Sequence, residues 1–511
     1  MNETSQALQK IARGAGITIV GTVISLVLGF ASRALIARGM SVSDYGLFTL
    51  TTTIIALALT VATLGIPSSM PRQVPYYLHR KREEFPHLIS TATFLMMLSG
   101  ITLSLLLFLF SGFIAQLFTD TRISWTLKIA TLASPFLLLT SYIISVTLGL
   151  GRVREKFYYQ QLFKPLLWLI GIAALYIIGL NVERLIYLWV VLNVLIFLFL
   201  AIDVEKLNFL HLKPSFNTKI ARELIVFSLP LMLSGILWTI MTMMDTLMVG
   251  HYLPSSEVGI YNAAIPLAKL LSFFLMAINT LYIPMATPLY ARGKSKELKR
   301  LYQVVTKWIF LGTLPFFVVI FVFPETSLEL IFGSKYLSAG LTLQILAIGF
   351  MIHALLGPNG LTLTVIGETK FLTFSNSLAV VTDLILNILF IPLWGIEGAA
   401  LATVISYLIV NVANSIKLYK RVKIQPFNPA YSRSLVVETL LVSITKVFVT
   451  SRNIDCFTCA VILMFIFIGT YVFSLLTLRV IEKEDIELML TVEKKFGINL
   501  EWAKKIVRKF I

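Results

Sequence analysis

The sequence predicts an all-α polytopic membrane protein with about fourteen transmembrane helices: two parallel six-helix repeats plus two C-terminal helices. Three observations predict this class. Of the 511 residues, 57% are hydrophobic and 14% are charged, whereas a soluble domain is about 25% charged. Apolar runs of the length that crosses a bilayer, about 20 residues, recur along the whole chain. Several sequence segments also recur at one nearly constant spacing. Helices are expected because backbone amides in lipid have no water to bond.

The apolar runs define fourteen candidate spans, and most of them reach about 20 residues, the length that a membrane-crossing helix needs. In chain order they lie within 16–36, 46–70, 88–117, 123–149, 161–180, 185–202, 224–250, 258–288, 304–323, 341–366, 371–392, 396–416, 434–450 and 457–478.

The basic residues predict the orientation, because lysine and arginine collect in cytoplasmic connections. With the N-terminus in the cytoplasm, most of the 43 basic residues fall on that side. The exceptions are Arg38, Arg122, Arg184, Lys335 and Arg452 outside, and Arg33, Lys128, Lys269 and Lys446 within spans. We therefore expect a cell-membrane protein with both termini cytoplasmic. The net charge of +17 then faces anionic lipid headgroups, and no nucleic-acid partner is expected.

The N-terminal segment MNETSQALQKIARGAG is polar and basic and shows no cleavage-site pattern. It is therefore expected to be retained rather than removed as a signal peptide.

A duplicated unit explains the recurring segments. MPRQVPYYL at 70–78 returns as IPMATPLYA at 283–291, LFTDTRISWTLKIATLASPF at 117–136 aligns without gaps to 331–350, and YGLF at 45–48 faces VGIY at 258–261. The spacing stays between 213 and 216 positions. Since six spans is an even number, both copies enter the membrane from the same side and are parallel repeats. The predicted divisions are lobes 1–215 and 216–425, two additional helices in 426–480 and an amphipathic cytoplasmic tail in 481–511.

The repeated prolines allow two interpretations. Pro71 and Pro75 near the end of span 2 correspond to Pro284 and Pro288 near the end of span 8. Proline removes a backbone donor and clashes with the preceding turn, so it bends or ends a helix. The four prolines either form a gate or bend in each lobe, or simply stop the two helices at a loop.

Three further stretches carry a family resemblance: SRALIARGMSVSDYGLF (32–48), FGSKYLSAGLTLQILAIGF (332–350) and the run LTVIGETKF…NILFIPLWGIEGAALATVISYL (363–408). Together they resemble the polysaccharide-exporter, O-antigen flippase branch of the multidrug/oligosaccharidyl-lipid/polysaccharide exporter superfamily. The pattern from Asn387 to Ala400 is the most specific part. The lipid II flippase, a cousin in this superfamily, likewise has fourteen spans. The resemblance covers spans 1–12, while the last two spans rest on their count.

The resemblance implies a non-enzymatic flippase. Its expected substrate is a polyprenyl-phosphate-linked oligosaccharide, moved from the cytoplasmic to the outer leaflet by alternating access between the lobes. The expected partners are that substrate and membrane lipids, and the chain is expected to be monomeric. No cofactor or metal is expected, although Na⁺ or H⁺ is left open as a coupling ion. The alternative within the same fold is an ion-coupled multidrug or organic-cation exporter. A polyprenyl-sugar transferase or polymerase is disfavoured by the short outer connections.

Basic residues in or near spans are candidates for binding the substrate phosphate. Arg33 in span 1 and Lys269 in span 8 lie where a charge normally faces a cavity or a partner, and the guanidinium of Arg33 suits a phosphate. Arg72 could meet the phosphate at the cytoplasmic entrance. Arg33 could instead snorkel to headgroups or pair with an acid, and Lys269 could join a salt bridge between lobes.

Acidic residues within spans are candidates for ion coupling. Asp245 lies deep in span 7, at roughly the position that Arg33 holds in the other copy, so it either binds a cation or pairs with Arg33 or Lys269. Asp383 and Asn387 lie one turn apart on one face of span 11, where they could bind sodium or cross-link helices. Glu438 and Lys446 in span 13 are expected to balance each other.

Other motifs carry no function. Cys456 and Cys459 have the C-x-x-C spacing, but without a second pair or a histidine motif they are expected to be apolar filler. The sequence has no Walker-type phosphate loop, H-E-x-x-H or G-x-S-x-G motif, so ATP hydrolysis and hydrolase chemistry lack support.

Overall fold

The protein is helical throughout the described residues. The computed structural model describes residues 3–205, 216–452 and 457–477, and within them no strand occurs. Within these described ranges, twelve helical stretches are long and apolar enough to cross a membrane, and a shorter apolar helical stretch lies at Ile462–Leu475. One of the twelve, Thr369–Val422, contains two of the predicted spans. The all-α polytopic prediction with about fourteen spans is therefore confirmed.

The residues that pack together form two compact units, Met1–Asn262 and Ala263–Ile511. Among the described residues, the first unit holds ten α-helices and the first eight residues of an eleventh. Their bounds are α1 (Glu3–Gly39), α2 (Val42–Ala62), α3 (Ile66–Arg80), α4 (Phe85–Leu109), α5 (Ser111–Gln116), α6 (Ile123–Ala130), α7 (Ser134–Gly149), α8 (Lys164–Ile178), α9 (Val182–Glu205), α10 (Thr218–Tyr252) and α11 (Ser255–Lys269). A π-helical segment, Lys156–Phe163, leads into α8.

The second unit begins within α11. Its further helices are α12 (Phe273–Ala291), α13 (Ser295–Val322), α14 (Pro324–Ile331), α15 (Gly340–Leu356), α16 (Asn359–Val365), α17 (Thr369–Val422), α18 (Pro429–Ser451) and α19 (Phe457–Thr477). Its core gathers buried side chains of α12, α13 and α17 around Tyr282 and Tyr302.

Polar residues begin several of these helices, as capping predicts. The Ser41 hydroxyl accepts the amide of Asp44 at 3.1 Å and starts α2. The Asn217 side chain accepts the amides of Lys219 and Ile220 and starts α10. Asn428 does the same for α18. These side chains satisfy amides that the first helical turn leaves unbonded.

The first unit's second span is broken between α2 and α3. Leu64 and Gly65 both have positive φ, at 50° and 68°, so the chain turns there before the helix resumes at Ile66. A Cβ at Gly65 would lie 2.2 Å from the carbonyl oxygen of Ser228 in α10. The break therefore brings α2, α3 and α10 into close contact, which only glycine permits at position 65.

The longest helix, α17, is two spans joined by a kink. Its 54 residues would measure about 80 Å as one straight helix, far more than the bilayer core. Gly395 interrupts it with φ 60° and ψ −137°, three residues after Pro392. A Cβ at Gly398 would lie 2.3 Å from the Phe390 carbonyl oxygen. Gly395 and Gly398 thus allow spans 11 and 12 to join with almost no loop.

The boundary between the compact units does not coincide with the boundary of the predicted repeat. Helix α10, the first span of the second predicted copy, packs against α2, α3 and α4, so the division falls after Asn262 rather than at 215/216. The predicted division is based on sequence repeats and stays a prediction: lobes 1–215 and 216–425, followed by two additional helices in 426–480. The predicted tail helix in 481–511 and Cys456 lie outside the described residues.

Candidate functional site

A polar pocket lies inside the first unit, at the break between α2 and α3. Its volume is about 360 Å³, within the range of small-molecule sites, roughly 300–1,000 Å³. Helices α7 and α10 and the π-helical segment close the other sides. It is lined by Leu59, Thr60, Thr63, Gly65, Pro67, Ser68, Leu137, Leu138, Thr140, Ser141, Tyr159, Gln160, Lys164, Leu231, Met232 and Gly235. By the predicted orientation, it belongs to the cytoplasmic half of α2.

Hydroxyl groups dominate the polar part of this lining. The Thr63 hydroxyl donates to the Thr60 carbonyl at 2.7 Å, and the Thr60 hydroxyl lies 3.1 Å from that of Thr239 in α10. The Thr140 hydroxyl oxygen is buried and has no hydrogen-bond partner. Because a buried hydroxyl normally has a partner, Thr140 is a group that an occupant of the pocket could satisfy.

Lys164 is the one charged side chain among the described residues that line the polar pocket. It occupies the first turn of α8, directly before Pro165, which suits the start of a helix because it has no amide to bond. The side chain is partly buried and lies within a stretch long and apolar enough to span the membrane. A positive charge in such a place attracts an anion, and its surrounding hydroxyls suit a sugar.

A second, smaller pocket of about 200 Å³ lies between α3 and α10 and contains Arg72. We call it the arginine pocket. The Arg72 guanidinium carbon lies 4.5 Å from the ring centroid of Phe227 and 5.7 Å from that of Tyr76, so it stacks on aromatic faces. Arg72 is exposed, which leaves its planar donors open toward solvent.

The acid Glu223 organises the other wall of the arginine pocket. The Tyr77 hydroxyl donates to its Oε2 at 3.2 Å, and Lys81 Nζ lies 3.3 Å from the same oxygen. Desolvation lowers the pKa of Lys81, but the hydrogen bond to Glu223 and the electrostatic attraction of Tyr77, Glu223 and Glu84 together outweigh it, and the net pKa is raised. Because Lys81 stays charged and engaged with Glu223, Arg72 is the cation of this pocket that faces solvent.

The structure places the other two predicted phosphate ligands outside both pockets. Arg33 is exposed on α1 and acts electrostatically on Tyr45 of α2. Lys269 is exposed at the end of α11, in the second unit. Of the three predicted basic ligands, only Arg72 lines a described pocket.

The structure places a hydrogen-bond donor beside Asp245 and buries Asp383 and Asn387. Asp245 accepts a hydrogen bond from the fully buried Tyr261 at 2.9 Å. Asp383 and Asn387 are buried in α17, and the side-chain amide of Asn387 donates to the backbone carbonyl of Asp383 at 2.9 Å. The structure thus brings Asp383 and Asn387 together on one face, as their spacing predicts.

The four repeated prolines lie inside helices rather than at their ends. Pro71 and Pro75 are within α3, which continues to Arg80. Pro284 and Pro288 are within α12, which continues to Ala291. In the first copy, the chain breaks at Leu64–Gly65, before both prolines.

Sequence reasoning missed the polar pocket and Lys164. Lys164 follows the aromatic stretch KFYYQQLF and was assigned to a basic cytoplasmic connection, whereas the structure folds this stretch into a π-helix. The hydroxyl residues of α2 and α7 look unremarkable in an apolar run. The Lys-Pro pair at the start of a span was the one available signal.

The chain matches a family model and several known proteins. Residues 35–341 match the family described as polysaccharide biosynthesis protein. An uncharacterized membrane protein of Methanocaldococcus jannaschii is 23% identical over 504 residues, which is 94% of this chain and 97% of that protein. The "probable low-salt glycan biosynthesis flippase" of Haloferax volcanii is 27% identical over 275 residues, which is 53% of this chain and 56% of that protein.

The fold is that of a solved flippase. The structure of the lipid II flippase MurJ in an inward closed conformation superposes with a TM-score of 0.72. The match covers 90% of this chain and 98% of that one, at 18% identity. At this identity the likeness establishes the shared fold.

Proposed function

This chain belongs to the polysaccharide biosynthesis protein family, and on that premise we propose that it is a lipid-linked glycan flippase. It moves a polyprenyl-phosphate-linked oligosaccharide from the cytoplasmic to the outer leaflet of the cell membrane, for the synthesis of a surface polysaccharide or glycan. The sugar passes through a polar cavity by alternating access between two lobes, while the lipid chain stays in the bilayer. The protein acts as a monomer and performs no covalent chemistry.

The observation that carries this proposal is the polar pocket with its single lysine. A glycan linked through phosphate combines hydroxyl groups with a negative charge. The pocket offers the complementary groups: threonine and serine hydroxyls for the sugar and the Lys164 ammonium for the phosphate. The Haloferax relative's name, a glycan biosynthesis flippase, supports the same substrate class.

The predicted basic residues are assigned to the substrate's path. Arg72, exposed in the arginine pocket at the middle of α3, meets the phosphate before it reaches Lys164. Arg33 and Lys269 contact the phosphate later on its path.

The predicted acids and prolines are assigned to coupling and movement. Asp245, Asp383 and Asn387 are the proposed groups through which Na⁺ or H⁺ would drive movement. Pro71, Pro75, Pro284 and Pro288 are the proposed flexible points of α3 and α12.

A pair of lysine variants tests the role of the polar pocket. Lys164→Gln keeps the length of a polar side chain and removes the charge, so we expect transfer of a labelled polyprenyl-diphosphate oligosaccharide in reconstituted vesicles to slow by roughly 10-fold or more. This is the loss expected for a charge-assisted hydrogen bond of about 1.5–3 kcal/mol.

Lys156→Gln is the matched control, because Lys156 precedes Lys164 in the same connection but does not line the pocket. It should transfer the substrate at the wild-type rate. Equal rates for the wild type and Lys164→Gln, with both proteins folded, would refute the assignment of Lys164.

The alternative is an ion-coupled exporter of organic cations with the same fold. The positive charge of Lys164 disfavours it, since a cation would be repelled from the pocket. An organic cation that competes with the lipid-linked glycan, and is itself moved, would favour the alternative.

A further inference from the structure

One carboxyl group in the second unit has no role in the flippase scheme above. Glu438 lies in α18 and is completely buried, with 0% exposure. The stretch around it, Tyr431–Ser451, is long and apolar enough to span the membrane. Among the described residues, no lysine or arginine forms a salt bridge with Glu438. A carboxylate buried in this way without a counter-ion is energetically costly.

Two short contacts of the Ser474 hydroxyl bear on the protonation state of Glu438. The Ser474 hydroxyl oxygen lies 2.6 Å from Glu438 Oε1 and 2.7 Å from the Tyr471 carbonyl oxygen. A serine hydroxyl carries one proton to donate, and a carbonyl oxygen can only accept. If Ser474 donates to the Tyr471 carbonyl, the 2.6 Å contact is a hydrogen bond only when Glu438 donates its own proton to Ser474.

The second carboxyl oxygen supports the same conclusion. Glu438 Oε2 is buried and has no hydrogen-bond partner. In an ionised carboxylate this oxygen would carry half of a negative charge with nothing to stabilise it. In the protonated acid it is a neutral carbonyl oxygen, whose burial costs much less.

We infer that Glu438 is a proton-binding site that holds α18 and α19 together. With the proton bound, a continuous chain of donors runs from Glu438 through Ser474 to the Tyr471 carbonyl and joins α18 to α19. When the Oε1–H bond breaks and the proton passes to water, two acceptors compete for the one serine proton. The chain is then broken, and a buried negative charge favours separation of the two helices and entry of water.

The other ionisable groups on the packed elements are engaged elsewhere. Tyr471 of α19 donates its hydroxyl proton to the Leu311 carbonyl at 2.8 Å. Lys446, two turns along α18, lies 3.4 Å from the Val322 carbonyl oxygen and over the Phe321 ring. Lys307 of α13 is fully buried and forms no salt bridge with Glu438. The sequence expectation that Glu438 and Lys446 balance each other is therefore wrong.

Infrared spectroscopy of the full-length protein in lipid vesicles tests the inference without any transport substrate. At neutral pH the wild type should show a protonated carboxylic C=O absorption that Glu438→Gln lacks, equivalent to one carboxyl group per chain. Raising the pH should remove the same absorption. An unchanged carboxylic absorption in Glu438→Gln would overturn the inference, because Glu438 would then carry no proton in the wild type.

Two further variants make the result specific. Ser474→Ala removes the acceptor of the Glu438 proton, so the carboxylic absorption should shift in frequency but remain. Glu83→Gln replaces an exposed acid in the connection before α4 and should leave the absorption unchanged. If Glu438→Gln does not fold, the absence of a shift in Ser474→Ala would contradict the inference.

A link between this proton and transport rests on the proposed function. In reconstituted vesicles, Glu438→Gln should transfer the labelled glycan lipid with a flat dependence on pH, where the wild type responds to pH. Absence of glycan transfer by the wild type would refute the proposed function and leave the infrared result standing. The same carboxylic absorption in the wild type and in Glu438→Gln would refute the proton site and leave the proposed function untouched.

Discussion

Two glycines at equivalent repeat positions, Gly46 and Gly259, set the distance between α2 and the start of α11. A Cβ at Gly46 would lie 1.7 Å from the Ser255 carbonyl oxygen, and one at Gly259 would lie 2.3 Å from the Val42 carbonyl oxygen. Gly46 and Gly259 are 213 positions apart, and so are Val42 and Ser255. The contact between α2 and the start of α11 is thus made by residues at equivalent positions of the predicted repeat.

Replacing Gly46 tests this close contact at the scale of one residue. Gly46→Ala should lower the free energy of unfolding by about 1–3 kcal/mol, the usual cost of overpacking, because the Ser255 backbone has no rotamer by which to move away. Thermal unfolding in detergent measures the change.

Gly29→Ala in α1 is the control for that substitution, since nothing lies within 4 Å of its added Cβ. Alanine is a better helix former than glycine, so this variant should be as stable as the wild type or more so. Equal unfolding temperatures for the two alanine variants would show that α2 and α11 do not pack as described.

At the scale of elements, an ion-paired cluster ties three segments together next to the glycine contact. Arg122 contacts Asp120 and Asp44, each at 2.8 Å, and the Ser255 hydroxyl donates to Asp120 at 2.6 Å. The Thr119 hydroxyl donates to the Leu253 carbonyl. The connection before α6 is therefore fastened both to the start of α2 and to the connection between α10 and α11.

The pKa of Asp120 gives this cluster a defined pH dependence. Burial raises that pKa, but hydrogen bonds from Arg122 and Ser255 outweigh burial, and the net pKa lies below its usual value of 3.8. A carboxyl whose pKa is lowered by folding contributes stability above its unfolded pKa and loses it as the pH falls through the folded value. The cluster should therefore keep its full strength from pH 5 to pH 8.

Hydrogen exchange of residues 117–122 and 250–255 checks this expectation. Protection in both segments, corrected for intrinsic exchange, should be constant from pH 5 to pH 8 and should fall in Asp120→Asn. Glu83→Gln, which changes an exposed acid elsewhere, serves as the control. Protection that weakens between pH 8 and pH 5, or that survives in Asp120→Asn, would contradict the role of Asp120.

The helix breaks show what sequence patterns could predict and what they could not. The short connection between spans 11 and 12 follows from Pro392 and Gly395, which punctuate an otherwise apolar run. The break at Leu64 does not follow, because a leucine with positive φ is uncommon and is fixed by packing against α10. The prolines of α3 and α12 lie inside their helices rather than at a break. Their role as a gate or bend stays a prediction.

At the scale of the whole molecule, composition and the apolar runs predict the class and the number of spans, and the resemblance of three sequence stretches predicts the family. The polar pocket could not be predicted, because it depends on a π-helix and on a helix break that place Lys164 beside α2. Arg33 and Lys269 were chosen for being charged within apolar runs, which locates a charge along the membrane but not the cavity it faces. Their roles stay predictions, as do those of Asp245, Asp383 and Asn387.

The charge distribution and the polar pocket both fit the proposed transport of an anionic, sugar-bearing lipid. The basic residues collect on the predicted cytoplasmic side, where the substrate would be made and captured. Arg72 lies in the arginine pocket at the middle of α3, and Lys164 lies in the polar pocket. In the proposed scheme the substrate phosphate meets Arg72 first and Lys164 next.

The most direct test of this account is leaflet transfer of a labelled polyprenyl-diphosphate oligosaccharide in vesicles that contain only the purified protein. The account predicts that the label becomes accessible on the opposite leaflet at a rate proportional to the amount of protein, and that an organic cation is not moved. A glycan lipid that stays in its original leaflet, in vesicles where the same protein moves the cation, would contradict it.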